Sequence, residues 1–213
     1  MNWPTTAAEA IAVQEELRGE VDHTDLGGAP RYAAGLDVQY DGDRLAAAVV
    51  VLEWETLAEV DRAVVPGVTS FPYVPGLFAF REVPALLDAL EQLTVRPDLL
   101  VCDGQGVAHP RRFGLASHLG VLTGIPSIGV AKTAFVGTHA VPDSPRGSTA
   151  ELVLDDEVVG AVVRTQDGVK PLYVSAGHRV SLPTAIAHTL HLSPHYRLPE
   201  TTRAADRLCR DAL

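Results

Sequence analysis

Residues 32–66 read YAAGLDVQYDGDRLAAAVVVLEWETLAEVDRAVVP. The segment divides into three strand-sized runs, Tyr32–Tyr40, Arg44–Trp54 and Ala58–Pro66, each rich in aliphatic and β-branched residues and bounded by short polar stretches. The first break, Asp41-Gly42-Asp43, contains Asp-Gly, which suits a tight hairpin. A three-stranded antiparallel meander is expected. One residue does not fit a plain strand. Asp37 stands in the middle of the first run, between Leu36 and Val38.

Working outward, apolar Ala7, Ala10, Ile11, Val13 and Leu17 recur near the 3.6-residue period and predict a helix over 5–20. Phe71–Phe80, with its prolines, glycine and aromatics, reads as a loop. A helix is expected over 81–93, with Val83, Leu86, Leu87, Leu90 and Leu93 on one side and Pro84 in its first turn. Residues 98–103 are almost continuously apolar, as in a strand covered on both faces. A helix over 111–123 and a strand over Pro126–Ala131 complete a parallel unit. A second hairpin over 150–165 turns at Asp155-Asp156, a short strand covers 171–175, and helices cover 182–192 and 200–212. Three antiparallel strands, helix, strand, helix, strand is the order of the ribonuclease H-like fold. The expectation is one α/β domain over residues 1–213, with a mixed central sheet flanked by helices.

Bulk properties narrow the function. The chain carries a net charge of −10, which argues against indiscriminate clamping of nucleic acid. The charge is uneven: residues 1–106 hold 18 acids and 6 Lys/Arg, residues 107–213 hold 9 acids and 11 Lys/Arg. A phosphate-binding surface should draw on the second half, while acids of the first half could hold cations. No apolar run approaches the ~20 residues of a membrane span, and the N-terminus lacks a secretory pattern. A cytoplasmic location, no membrane partner and a monomer are expected. Cys102 and Cys209 are expected to be reduced thiols.

Three acids resist explanation by packing. Asp37 interrupts a strand, Asp103 closes the run Leu99–Cys102, and Glu82 opens a helix. Singly, each has an ordinary reading: a strand-end acid, a turn residue before Gly104, and an acid favoured at a helix N-terminus. If the first and fourth strands are neighbours, Asp37 and Asp103 meet, and Glu82 can reach them. Like charges so placed repel, and a hard divalent cation such as Mg²⁺ or Mn²⁺ removes the penalty.

The neighbouring words decide between these readings. DGQGVAHPRRFGLASH (103–118) closely resembles the signature of the endonuclease V family. FPYVPG (71–76) with FRE (80–82), AGLDV (34–38), IGVAK (128–132), PLYVS (171–175) and GHR (177–179) resemble further family segments in the family's order, over about residues 30–208. The resemblance implies a ribonuclease H-like nuclease that recognises deoxyinosine in DNA. It would hydrolyse the second phosphodiester bond on the 3′ side, leaving 3′-hydroxyl and 5′-phosphate ends. Some relatives prefer inosine-containing RNA, and that alternative stays open.

By the same resemblance, Asp37, Glu82 and Asp103 hold Mg²⁺, with Mn²⁺ as a substitute. Lys132 contacts the scissile phosphate or orients water, and His109 sits beside the metal or the phosphate. The chain has only two lysines against 15 arginines, so a lysine at 132 suggests a site wanting a compact ammonium. Tyr73, stiffened by Pro72 and Pro75, is expected to point outward as a wedge that fills the gap left by the target base. Backbone groups near Gly76 and Gly106 are expected to read the hypoxanthine edge, an acceptor O6 beside a donor N1–H. Arg111 and Arg112, placed at a helix start where the dipole does not favour cations, are expected to meet phosphate or nearby acids. Asp206 matches a C-terminal position near the metal. Pro199-Glu200-Thr201-Thr202-Arg203 departs from the family's Pro-Glu-Pro-Thr-Arg and is expected to loosen the chain before the last helix.

Overall fold

The computed structural model describes residues 3–25 and 27–213. Helix α1 (Ala7–Arg18) starts at a capping box between Thr6 and Glu9, inside the expected 5–20. Strands β1 (Tyr32–Asp41), β2 (Arg44–Glu53) and β3 (Glu59–Val68) form the expected meander. Asp41 pairs with Arg44, which leaves Gly42-Asp43 as a two-residue turn. Next come α2 (Ala79–Glu91), β4 (Leu99–Cys102), α3 (Leu115–Thr123) and β5 (Ser127–Ala131). The chain closes with β6 (Thr149–Leu154), β7 (Glu157–Val163), β8 (Leu172–His178), α4 (Leu182–His191) and α5 (Glu200–Asp211). The β6–β7 turn falls at Asp155-Asp156, both with φ in the left-handed region, as a two-residue hairpin loop requires.

All eight strands join one mixed sheet in the order β3-β2-β1-β4-β5-β8-β7-β6. β1, β4 and β5 run parallel, and β8 joins β5 antiparallel. This is the expected α/β architecture, with the second hairpin extending the sheet beyond β5. Alternation along the strands sorts the core. Ala34, Leu36, Leu100 and Cys102 face α2 and α3, and Ala33, Leu99 and Val101 face the α4 side. Cys102 and Cys209 are both buried, free thiols. Among the described residues no helix is long and apolar enough to cross a membrane.

Three boundaries differ from expectation. Helix α2 starts two residues early, so Pro84 lies inside it rather than at its first turn. Helix α3 starts at Leu115 rather than 111, because Arg112 takes a left-handed φ of 56° and Gly114 is the extended cap. Arg111 and Arg112 therefore belong to a loop, and the helix-dipole reasoning does not apply to them. The segment before α5 is not loosened. Thr201 is fully buried, and its backbone packs so closely on β1 that a Cβ at Gly35 would lie 2.1 Å from the Thr201 carbonyl. Only glycine permits that approach, which seats α5 across β1.

On the other face, His118 of α3 is wholly buried among Trp3, Phe80 and Phe113. Neither ring nitrogen has a hydrogen-bond partner among the described residues, and burial lowers its pKa to about 4 from 6.5. The unfolded ring takes a proton near pH 6.5 and the folded ring only near pH 4. The unfolded state therefore binds more protons in that window, and stability falls as pH drops through it, by about 3 kcal/mol in all. His118→Phe should remove that contribution. Chemical denaturation of both proteins between pH 7 and pH 4 checks this, and identical pH dependence would contradict it.

Candidate active site

The parallel pairing of β1 and β4 sets Leu36 opposite Cys102, and the Asp103 N–H donates to the Leu36 carbonyl at 3.4 Å. The next residue on each strand is an aspartate. Asp37 and Asp103 thus stand side by side at the carboxyl end of β4, where strand order changes direction and α/β sheets commonly bind ligands. Glu82 comes from α2, on the opposite face of the sheet, and is buried. The Tyr40 hydroxyl donates to Glu82 Oε1 at 3.2 Å. Burial, with the charges of Asp37 and Asp103, raises the Glu82 pKa well above the usual range. Burial also raises Asp37 to about 6, aided by Asp103 and Asp206 and opposed by the Gln39 hydrogen bond.

Two basic groups, Lys132 and Arg210, pair with these acids. Lys132 follows β5, and its ammonium donates to Asp103 Oδ2. Burial works to lower its pKa, but that hydrogen bond and the charges of Asp103, Asp37 and Asp206 outweigh it and raise it. Arg197 donates to the Lys132 and Pro171 carbonyls at 3.1 and 2.9 Å, which pins the backbone under the lysine. Asp206 is brought in by α5. The Gln39 amide bridges it to Asp37, at 3.1 Å and 3.0 Å respectively, and Arg210 pairs with its other oxygen.

Among the described residues, no three His, Cys, Asp or Glu side chains stand close enough together to form a ready-made metal site. The donor set nevertheless fits a hard divalent cation. Its oxygens are carboxylates, Lys132 and Arg81 offset only part of their charge, and Glu82 is buried beside Asp37 and Asp103 with the Tyr40 hydroxyl as its hydrogen-bond partner. A bound cation would take over the charge that Lys132 and raised pKa values now answer.

Beside the carboxylates lies a cavity of about 250 Å³ whose walls include Asp103, Gly76, Tyr73, Phe78, Leu115 and Phe135. Tyr73 is 69% exposed and meets Phe78 edge-on, with ring centroids 6.0 Å apart. Gly76 has φ 80°, and its carbonyl accepts from His109 Nε2 at 3.0 Å and Arg111 Nη2 at 2.7 Å. Because His109 Nδ1 accepts the Arg111 N–H at 3.2 Å, Nε2 carries the ring proton. Burial and the Arg111 charge hold the His109 pKa near 4, so the ring is neutral at pH 7. A larger cavity, about 560 Å³, lies at the other end of β4 beside Arg31 and Arg96 and contains none of the candidate residues.

These contacts show where four of the expected residues lie. His109 lines the same cavity as Asp103, with both ring nitrogens hydrogen-bonded. Arg111 is spent on the Gly76 carbonyl and on Gln14 Oε1, at 2.6 Å. Arg112 meets nearby acids, one of the two partners expected of it: Glu157 at 3.0 Å and Asp155 at 3.6 Å. Gly106 does not reach the cavity. Its N–H donates to Ser175 Oγ, its carbonyl accepts from Gly114, and an added Cβ would lie 2.0 Å from the Ala176 carbonyl. It is a packing glycine.

The sequence reading missed Gln39, Tyr40, Phe78, Phe135 and Gln14. Gln39 carried a usable signal, since it lies two residues beyond Asp37 and shares its face of the strand. The others come together only through the tertiary fold.

A family model described as Endonuclease V matches residues 15–207, beginning one residue after Gln14. Endonuclease V of Streptomyces coelicolor is 60% identical over 215 residues, covering 99% of this chain and 92% of the relative. The crystal structure of Endonuclease V from Streptomyces avermitilis superposes with a TM-score of 0.95 at 57% identity, covering 99% of this chain and 94% of that one. Endonuclease V of Ciona intestinalis, solved with a 24mer DNA containing an inosine followed by a ribo-adenosine, has a TM-score of 0.83 at 28% identity and 96% coverage of both chains. The carboxylates that meet beyond the carboxyl end of β4, the aromatic cavity beside them and these matches over nearly the whole chain agree, and the protein belongs to the Endonuclease V family.

Proposed function

We propose that this enzyme cuts DNA strands carrying deoxyinosine, hydrolysing the second phosphodiester bond 3′ to the lesion to leave a 3′-hydroxyl and a 5′-phosphate. The observation that carries the reading is a single one: Asp103 belongs both to the carboxylate cluster and to the wall of the aromatic cavity. A base held in that cavity places its own strand against the acids. The Ciona relative, bound to inosine-containing DNA, supports the choice of base.

Asp37, Glu82 and Asp103 are the residues that would hold Mg²⁺, or Mn²⁺ in its place, with Asp206 beside them. When bound, the cation supplies Lewis-acid stabilisation of charge on the reacting phosphate. The chain's own groups do the rest. Lys132, freed from Asp103, offers its ammonium to a nonbridging phosphate oxygen. Water forms the new bond to phosphorus and gives up one proton to solvent, the bond from phosphorus to the 3′ oxygen breaks, and that oxygen takes a proton from solvent, which leaves the 5′-phosphate and the 3′-hydroxyl. Tyr73 fills the gap left by the extruded base. In the cavity Phe78 and Phe135 cover the base faces. The Gly76 carbonyl is already occupied, so the group of Gly76 that reads the base is its N–H, donating to O6. Adenine presents an amino donor there and is disfavoured.

The ribo-adenosine in the Ciona complex favours one alternative worth testing, cleavage of inosine-containing RNA. Matched DNA and RNA oligomers with one inosine, incubated with Mg²⁺, Mn²⁺ or EDTA, separate the two. Cleavage of the DNA one linkage beyond the inosine's own 3′ phosphate is expected, and RNA cleavage alone would replace the DNA reading. Asp37→Asn and Asp103→Asn should each reduce the cleavage rate by about a thousandfold or more while binding to inosine DNA persists, since they remove transition-state stabilisation rather than recognition. Turnover near wild type in either variant would refute the assignment. Tyr73→Ala should lower the preference for inosine over adenine strands by about tenfold, the order of one lost base–aromatic contact, without lowering the melting temperature. An unchanged preference would remove the wedge.

A further inference from the structure

Helix α1 buries two residues, Ala10 and Gln14. Ala10 packs on Phe71, Leu77 and Phe80, the loop that carries Tyr73 and Gly76. Gln14 is the polar one, and it has no solvent exposure. Its amide is fully used. Nε2 donates to the Gly76 carbonyl at 3.0 Å and the Phe113 carbonyl at 3.2 Å, and Oε1 accepts from Arg111 Nε at 2.6 Å. The amide has one workable orientation, because the reverse would set its oxygen against two carbonyls and its NH₂ against a guanidinium. A buried network with every member satisfied specifies one geometry and tolerates little drift.

The partners stand on two walls of the same cavity. Gly76 belongs to the aromatic loop, and Arg111 and Phe113 to the segment that also carries His109. They lie 62 to 99 residues from Gln14 in sequence. Arg111 Nη2 also donates to the Gly76 carbonyl, so glutamine, guanidinium and that carbonyl close a ring of hydrogen bonds across the gap between the walls. We infer that Gln14 is a positioning residue for base recognition. It fixes the separation of the two cavity walls and the orientation of the Gly76 peptide, and so sets discrimination between bases without touching the reacting phosphate. The first helix is then part of the recognition machinery rather than a peripheral brace.

This inference rests on the deoxyinosine reading, and its test separates the two. Gln14→Met keeps side-chain length without hydrogen bonds, and Gln14→Glu keeps the acceptor for Arg111 but turns an oxygen toward the two carbonyls. In the full chain each variant should raise KM for a deoxyinosine oligomer about tenfold, the order of one lost hydrogen bond to a charged or buried partner. kcat should stay within about threefold, as for a lost binding contact. The preference for inosine over adenine strands should fall by a similar factor. Hydrogen exchange should speed up in residues 71–80, with β1 and β4 as protected as in the wild type. Combining Gln14→Met with Arg111→Met should add little to either single change, since both break the same ring. A fall in kcat at unchanged KM, or protection lost throughout β1 and β4, overturns the positioning role, as does wild-type behaviour on every measure. A wild-type enzyme that leaves inosine strands uncut sinks the substrate reading instead, and the exchange of residues 71–80 still decides whether Gln14 holds the walls.

Discussion

Carboxylates repel one another, and this fold sets three of them near enough, around the carboxyl end of β4, for each to feel the others' charge. The register of β1 against β4 leaves no other place for Asp37 and Asp103, and Glu82 arrives from the helix on the opposite face. Burial removes most of the water that would otherwise screen them. The protein answers with Lys132 against Asp103, Gln39 between Asp37 and Asp206, Tyr40 against Glu82, and a strong tendency of Glu82 and Asp37 to keep protons. The contacts from Lys132, Gln39 and Tyr40 favour the ionised acids, but burial and mutual repulsion outweigh them at Glu82 and Asp37, and a raised carboxyl pKa means that the ionised form is disfavoured when folded. Such an arrangement makes physical sense where a cation and a phosphate complete it.

The carboxylates and the aromatic cavity are distinct but share Asp103. The acids belong to the middle of β1, to the residue that follows β4 and to α2. The cavity belongs to loops: the aromatic segment 71–80 and the turn-rich segment 103–114. Loops hold a fixed shape only when their backbone groups are tied down, and here the ties are visible. The Gly76 carbonyl receives three N–H donors, from His109, Arg111 and Gln14. His109, neutral and hydrogen-bonded at both nitrogens, forms part of the cavity wall.

Much of this was legible in the sequence, for identifiable reasons. Asp37 stands out as a charge in an apolar strand and Asp103 as the end of a run buried on both faces, yet each alone has an ordinary reading, and it is the family resemblance of the neighbouring segments that decides. The meander and the parallel unit followed from periodicity and turn chemistry. The differences have separate causes. Hydrophobic pattern starts the helix after Pro110 four residues early, since a left-handed Arg112 leaves no trace in it. With that boundary, Arg111 and Arg112 stand at a helix start, with phosphate and nearby acids both open to them. The missing Cβ of Gly106 serves packing against Ala176, a contact between distant segments that sequence does not show. Gln14 looked like one more polar residue on an amphipathic helix, and only the tertiary fold reveals that it points inward.

The account stands on the carboxylates accepting a cation in exchange for the Lys132 contact. Anomalous diffraction from a crystal grown with Mn²⁺ addresses this directly. The account predicts one or more peaks within about 2.0–2.6 Å of carboxylate oxygens of Asp37, Glu82 and Asp103, the range of hard cation–oxygen bonds, with the Lys132 ammonium moved off Asp103. A map with no peak among those oxygens, and Lys132 still bound to Asp103 at millimolar Mn²⁺, would contradict it.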